Sequence, residues 1–170
     1  MFQIGDYVVK PATGVWRVEN ILHLDLSKAD KNRLYYLLIP SDHAGEKIYV
    51  PVDSSAIKIR KAMTKEEAEA LIRKIPQIEE TWIRNDKERE QQYKTVIRSG
   101  EPESLIGMIK SLYLRKKRRL ESGKKNTTID EHYYRQAENQ LYAELGIALG
   151  KNQEDVFGLI AEACRAWLCL

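Results

Sequence analysis

The sequence lacks the patterns that metal sites and nucleotide sites usually require. Its three histidines, His23, His43 and His132, are far apart, and none of them has a metal-ligand spacing. Neither a Cys-x-x-Cys pair nor a glycine-rich phosphate loop occurs. No constellation of catalytic residues is visible either. We therefore predict a protein that is not an enzyme and that has no catalytic residues, no metal and no cofactor.

Cysteine and long apolar runs are also scarce. The two cysteines, Cys164 and Cys169, are five residues apart in a predicted helix, which places them too far apart along the helix axis for a relaxed disulfide. No apolar run approaches the roughly 20 residues that span a bilayer. The first residues, Met1 to Asp6, lack the basic lead and the apolar run of a signal peptide. We therefore expect a cytoplasmic protein without a membrane partner.

What the sequence has instead is one strongly basic stretch, from Leu105 to Lys125. Eight cations face a single acid there, although the net charge of the whole chain is only +3. On a helical wheel one side carries Leu105, Met108, Ile109, Leu112 and Leu120, and the other side carries Lys110, Lys117 and Arg118. The pattern predicts a helix with a buried first half and a cationic end. Such an end suits nucleic acid or an acidic protein surface, although part of it also complements the helix dipole.

The first part of the chain contains short β-type segments separated by turn residues. These segments are Asp6–Lys10, Val15–Leu22, Leu34–Ile39, Lys47–Val52 and Ile57–Arg60. Five short strands in so few residues predict a small β-barrel of the SH3 or Tudor type. One edge of such a barrel usually remains free for a partner strand.

The pattern becomes helical after about Met63. Thr64 with Glu67 forms a capping box, and Thr128 with Glu131 forms another further along the chain. The helix breaks are predicted at Pro76, Ser99-Gly100, Ser122-Gly123 and Gly150. We therefore predict an α+β protein, with a Tudor-like domain in residues 1–62 and an all-α bundle of about five helices in residues 63–170.

Two tryptophans have different predicted positions. Trp16 lies in the second strand, and we assign it to the core of the barrel. Trp82 follows the break at Pro76, in the connection between two helices. Two interpretations of Trp82 are open: it packs in the core or between the domains, or it stacks against an unpaired or distorted base step.

Taken in order, these segments resemble the CarD family of bacterial transcription regulators, and in particular its Firmicute-type members. The resemblance rests on Gly5-Asp6-Tyr7-Val8-Val9-Lys10-Pro11 followed by Gly14-Val15, on Val50-Pro51, on Ser99-Gly100-Glu101 and on the helix from Ile109 to Lys117. It covers essentially the whole chain.

The resemblance implies both partners and contact residues. In that family a Tudor-like domain binds the β subunit of RNA polymerase, and a helical domain contacts promoter DNA at the upstream edge of the melted region through a tryptophan wedge and basic residues. By position, the polymerase contacts would be Lys47, Ile48, Tyr49, Val50 and Pro51. The DNA contacts, largely independent of sequence, would be Trp82, Arg84, Lys87, Arg89, Lys110, Arg115, Lys116, Lys117, Arg118, Arg119, Lys124 and Lys125.

Two functions of different classes follow from these observations. The first is a monomeric transcription regulator that binds RNA polymerase and modulates open-complex stability, and that associates with the nucleoid through the polymerase. The alternative is a protein–protein adaptor, in which the barrel docks one protein and the cationic helix binds an acidic partner. The two differ in what the basic helix end contacts.

Overall fold

The structure is a computed structural model that describes residues 1–25, 32–41, 46–81 and 85–168. The chain divides into two compact units, Met1–Ala62 and Met63–Leu170. The first unit contains strands and the second contains helices. This arrangement confirms the predicted fold class, a small β domain followed by a helical bundle.

The described residues of the N-terminal unit form a sheet of five antiparallel strands. They are β1 (Tyr7–Lys10), β2 (Gly14–His23), β3 (Leu34–Pro40), β4 (Ile48–Pro51) and β5 (Arg60–Lys61). The strand order in the sheet is β4-β3-β2-β1-β5, so β4 and β5 are the edge strands. The fifth strand is shorter than predicted and begins later, because Ile57 and Ile59 pack against the core whereas pairing with β1 starts only at Arg60.

A tight turn sets the register of β1 and β2. Thr13 N–H donates to Lys10 O at 3.1 Å, and Gly14 follows with a φ of 93°, which favours glycine. This register places Val8 opposite Trp16, so that both side chains lie on the same face of the sheet. Both are buried in the core, together with Val18, Tyr36, Leu38 and Val50. The assignment of Trp16 to the β core is therefore confirmed.

In the described part of the second unit, the chain forms five α-helices and one short 3-10 helix. The α-helices are α1 (Lys65–Lys74), α2 (Asp86–Ser99), α3 (Pro102–Glu121), α4 (Thr128–Leu149) and α5 (Gln153–Leu168). The 3-10 helix, Ile75–Gln77, continues α1 directly through Pro76. None of the described helices combines the length and the apolar character that a membrane crossing requires.

One predicted capping box is confirmed and the other is wrong by one residue. The hydroxyl of Thr64 accepts from Glu67 N–H at 3.2 Å, and the Glu67 carboxylate accepts from Thr64 N–H at 2.7 Å. At the start of α4 the cap is Thr127, which accepts from Asp130 N–H at 3.0 Å. Glu131 therefore does not close a box with Thr128, and its carboxylate instead forms ion pairs with cations.

The apolar stripes of the helices form the core of the second unit. Leu105, Met108, Ile109 and Leu112 of α3 are buried as predicted, and they pack with Ala137, Leu141 and Leu145 of α4 and with Val156 and Ile160 of α5. Leu120 was predicted on the same stripe, but its side chain is 56% exposed. The buried face of α3 ends at Leu112, and every later residue of this helix is half-buried or exposed.

Candidate protein and nucleic-acid interfaces

Strand β4 lies at an open edge of the β unit. It pairs with β3, and within the described residues no strand pairs with its other side. Tyr49 is 41% exposed, whereas Val50 is buried in the core and cannot offer its side chain to a partner. Of the other predicted polymerase contacts, Lys47 is exposed, and Ile48 and Pro51 are half-buried.

The free edge of β4 also presents backbone groups. Val52 N–H donates to Leu34 O at 3.0 Å, and directly opposed residues of an antiparallel ladder alternate between bonded and non-bonded pairs. The even-numbered residues of β4 therefore bond to β3, and the N–H and C=O of Tyr49 point away from it. Such an edge can add a strand from a partner protein.

The end of α3 and the turn after it carry a cluster of cations. Lys116, Lys117, Arg118, Lys124 and Lys125 are exposed and Arg119 is half-buried, and these six residues are called the basic patch below. Gly123 ends the helix with a φ of 69°, and Arg119 Nε then donates to Lys125 O at 2.9 Å. The turn thus folds back on the helix end and keeps the cations together.

The basic patch has few acidic partners. Lys116 lies 3.8 Å from Glu131, and in the described ranges no salt bridge involves Lys117, Lys124 or Lys125. The negative end of the helix dipole stabilises cations at this position in part. Most of their charge nevertheless faces solvent, so the patch can attract a polyanion.

Lys110 does not belong to this patch, and the prediction that it lies on the solvent side of α3 is wrong. Its side chain is 1% exposed. Lys110 Nζ donates to Ile75 O at 2.5 Å and to Ile78 O at 2.6 Å, at the end of the 3-10 helix, and Ile75 O also accepts from Ile78 N–H at 3.2 Å. Burial lowers the pKa of Lys110. Lys110 is an internal cap and is not accessible to a polyanion.

Two neighbours of Lys110 extend this contact along α3. Ser111 Oγ donates to Thr81 O at 2.7 Å, and Thr81 N–H donates to Gly107 O at 3.3 Å. A Cβ on Gly107 would lie 2.9 Å from Glu79 O, so the close approach of the two backbones requires glycine. Gly107, Lys110 and Ser111 together, called the α3 seat below, hold residues 75–81 against α3.

Three predicted DNA-contact residues lie in the connection between α1 and α2 or at the start of α2, and the structure describes only one of them. Trp82 and Arg84 lie outside the described residues. Lys87 is exposed in the first turn of α2, where its N–H donates to the side chain of the N-cap Asn85 at 3.0 Å. The side chain of Lys87 can therefore reach an external partner.

Two other predicted DNA contacts bind a buried acid inside the helical unit. Arg115 Nε lies 2.8 Å from Asp130 Oδ2, and Arg89 Nε lies 3.6 Å from Asp130 Oδ1. The hydroxyl of Tyr93 donates to Asp130 Oδ1 at 3.2 Å. Because these residues come from α2, α3 and α4, Asp130 links three helices. Arg89 and Arg115 thus have a structural role that the sequence did not predict.

Asp130 is the central residue of this network, and no sequence pattern predicts that role. Burial raises the pKa of Asp130, but hydrogen bonds from Arg115 and Thr127 and the charges of Arg115 and Arg89 outweigh that effect, so that the pKa lies below its ordinary value. An acid in the first turn of a helix is common, because the helix dipole favours it. Asp130 therefore has no pattern that distinguishes it from an ordinary surface acid.

The described residues offer no evident metal centre. No group of three or more histidine, cysteine, aspartate or glutamate side chains among them could hold a metal ion. Cys164 is a half-buried free thiol, and burial raises its pKa. Cys169 and His43 lie outside the described residues.

Comparison with known families concerns the N-terminal unit. Residues 2–63 match the family model of the CarD-like/TRCF RID domain. The matched segment includes all five strands and therefore the open edge at β4. No curated protein matches the chain significantly. Residues 2–63 are thus similar to an RNA polymerase-interacting domain, which supports a CarD-like family and a transcription-related role in binding RNA polymerase.

Proposed function

We propose that the protein is a CarD-type transcription regulator of the Firmicute type, which binds the β subunit of RNA polymerase through its N-terminal unit and promoter DNA through its helical unit. The observation that carries this proposal is the family match over residues 2–63, a segment whose edge strand β4 is open in the described chain. Such a protein acts by binding, as a monomer, at the bacterial nucleoid. It requires neither catalytic residues nor a cofactor.

Strand β4 is the surface that we assign to the β subunit. The outward N–H and C=O of Tyr49 provide main-chain hydrogen bonds for an added strand, and the exposed tyrosine ring provides contact area of the kind that is enriched in interfaces. Val50 anchors the strand to the core from the opposite face of the sheet. Lys47 adds an exposed cation just before the strand.

The basic patch is the surface that we assign to promoter DNA. Lysine and arginine contacts to phosphates supply affinity and position but do not read sequence. A polymerase-bound protein has no need to read sequence, because the polymerase holds it at one place on the promoter. Lys87, together with Trp82 and Arg84, completes the proposed DNA contacts, whereas Lys110 is excluded because it is buried.

These contacts can modulate open-complex stability without catalysis. A contact that is made only with the opened or bent promoter shifts the equilibrium toward that state by its differential affinity. About 1.4 kcal/mol of differential affinity corresponds to a tenfold shift. A few phosphate contacts by a tethered patch are therefore sufficient for regulation.

The test of this proposal is binding of the full chain to the isolated β subunit. Tyr49→Asp places a charge on the open edge, and Tyr7→Asp is a matched control, because Tyr7 is 39% exposed and lies on β1 inside the sheet. We expect Tyr49→Asp to weaken binding at least tenfold and Tyr7→Asp to leave it within about twofold. Thermal unfolding followed by circular dichroism verifies that both variants fold.

The same experiment separates the proposal from the adaptor function. Equal binding by the two folded variants would show that β4 is not the docking edge. Absence of β-subunit binding, together with a stable acidic protein partner and no DNA footprint, would favour the adaptor.

A further inference from the structure

The helical unit contains a cavity that the proposed function does not use. It lies between α3, α4 and α5 and has a volume of about 260 Å³. Ile109, Tyr142 and Ile160 are buried at its floor, whereas Tyr113 and Phe157 are exposed at its rim. A concave apolar site with exposed aromatic rings is typical of a ligand-binding site.

The walls of the cavity are apolar because their polar atoms bind elsewhere. The hydroxyl of Tyr142 donates to Glu138 at 3.1 Å, and Glu138 does not line the cavity. The ammonium of Lys110 donates to the carbonyls of Ile75 and Ile78. The other lining residues contribute aromatic rings, aliphatic groups and the Cys164 thiol, apart from Arg165. A sugar or a polyol would lose hydrogen bonds to water there without replacing them.

One cation lies at the rim of the cavity. Arg165 is exposed and also lines the cavity, and no described acid forms a salt bridge with it. A guanidinium favours a carboxylate or another planar or tetrahedral oxyanion. The cavity is slightly smaller than the range of roughly 300–1,000 Å³ that is usual for drug-sized ligands, so it fits a compact ligand of two or three aromatic rings.

We propose that this cavity binds a small aromatic anion, with its rings between Tyr113 and Phe157 and its anionic group at Arg165. The proposal rests on α3, α4 and α5 alone and is independent of polymerase and DNA binding. A ligand in this place contacts all three helices and therefore raises the stability of the helical unit in proportion to the logarithm of its concentration.

The test uses the full chain and the probe 8-anilinonaphthalene-1-sulfonate, an aromatic anion whose fluorescence rises in an apolar site. We expect saturable binding at one site. Ala161→Phe fills the cavity with a ring and should weaken binding at least tenfold. Arg165→Gln removes the rim charge and should weaken binding about threefold to tenfold at low salt, with a smaller dependence on ionic strength.

Two controls decide the outcome. The uncharged analogue N-phenyl-1-naphthylamine should bind wild type and Arg165→Gln equally but should still bind Ala161→Phe at least tenfold more weakly. Tyr7→Ala, which changes an exposed tyrosine in the other unit, should bind the anionic probe as wild type does. Thermal unfolding verifies that the variants fold. Wild-type affinity in a folded Ala161→Phe variant, or no saturable binding by the wild type, would overturn the proposal.

Discussion

The two halves of α3 use lysine in opposite ways. In the first half, Lys110 is buried and its ammonium donates to the carbonyls of Ile75 and Ile78. In the second half, Lys117 is exposed within the basic patch. A buried charge is tolerated only where polar partners surround it, whereas an exposed charge retains its water until an external anion replaces it. The first lysine therefore supports the fold, and the second is available for binding.

The boundary between the two halves lies at Arg115. Arg115 binds the buried Asp130 at 2.8 Å, whereas the next residue, Lys116, lies 3.8 Å from Glu131 and stays exposed. Position in a basic run thus does not decide what a cation does; its burial and its acceptor do. Substitutions before the boundary should lower the free energy of unfolding, and substitutions after it should lower DNA affinity alone.

The largest effect is expected from Asp130→Ala. This substitution leaves Arg89 and Arg115 without their shared carboxylate in a mostly buried site, and it should lower the free energy of unfolding by about 3 kcal/mol. The matched control is Glu131→Ala at the next position, whose ion pairs are exposed and should contribute less than about 1 kcal/mol. Urea unfolding followed by far-UV circular dichroism measures both. Equal losses in the two variants would contradict the central role of Asp130.

The Asp130 network should also give an acid-dependent stability. Because the pKa of Asp130 is lower in the folded chain than its ordinary value, its contribution is complete above about pH 4 and is lost as the pH falls through the folded pKa. The difference in unfolding free energy between wild type and Asp130→Asn should therefore stay constant from pH 7 to about pH 4 and shrink as the pH falls further toward 2. Urea unfolding at several pH values tests this. A difference that stays constant down to about pH 2 would show that the carboxylate charge contributes nothing.

The comparison between the two lysines is tested directly by Lys110→Met and Lys117→Met. Methionine keeps the apolar part of the side chain but removes the ammonium hydrogen bonds to the carbonyls of Ile75 and Ile78, which should cost about 2 kcal/mol even though Ile75 O keeps the bond from Ile78 N–H. The same change at the exposed Lys117 should alter the free energy of unfolding by less than about 0.5 kcal/mol. Urea unfolding of both variants provides the measurement. If Lys110→Met leaves the free energy of unfolding unchanged, the packing of residues 75–81 against α3 does not depend on the ammonium of Lys110.

A smaller loss of folding stability is expected from Gly107→Ala. The added Cβ would lie 2.9 Å from Glu79 O and 3.0 Å from Thr81 Oγ1, and relief of this clash should cost about 1–2 kcal/mol. Gly158→Ala is the control, because a Cβ at Gly158 in α5 meets no atom within 4 Å. Alanine there should stabilise the chain by up to about 1 kcal/mol through helix propensity. We expect thermal unfolding to show a lower midpoint temperature for Gly107→Ala and a higher one for Gly158→Ala. Stabilisation by both substitutions would contradict the close approach of the two backbones at Gly107.

Local features of the fold could be predicted from the sequence because a few neighbouring residues determine them. The capping box of Thr64 with Glu67 and the stripe from Leu105 to Leu112 depend on contacts within one or two helical turns. Pro102 at the start of α3 is another case, since its missing N–H is not needed there. The order and type of the elements follow from such signals.

The candidate sites could be predicted less well, because their contacts join distant parts of the chain. A helical wheel shows on which face of α3 a residue lies, but it does not show which other element packs against that face. Lys110 binds carbonyls that are 35 and 32 residues away in sequence, and Tyr93 reaches Asp130 over 37 residues. These partners were invisible in the local pattern. The exposed cations Lys116 to Arg118 were easier to find, because a surface charge needs no partner within the chain.

The smallest effect is expected from a single exposed cation, Lys117→Gln. Loss of one phosphate contact should weaken DNA binding severalfold at low salt and flatten the slope of log affinity against log salt concentration by about 0.9. Lys151→Gln is the control, because Lys151 is exposed after α4 and lies outside the basic patch. Fluorescence anisotropy of the full chain with a partly melted duplex, over a series of salt concentrations, measures both slopes.

The slope and the free energy of unfolding together separate the two halves of α3. The slope counts the phosphates that a surface contacts, whereas the free energy of unfolding reports internal partners. If Lys117→Gln flattens the slope no more than Lys151→Gln, the basic patch is not the DNA surface and an acidic protein becomes its best partner. If Lys117→Gln flattens the slope and leaves the free energy of unfolding unchanged, the exposed cations after Arg115 serve DNA binding alone. Lys110, by contrast, then contributes to folding and not to DNA binding.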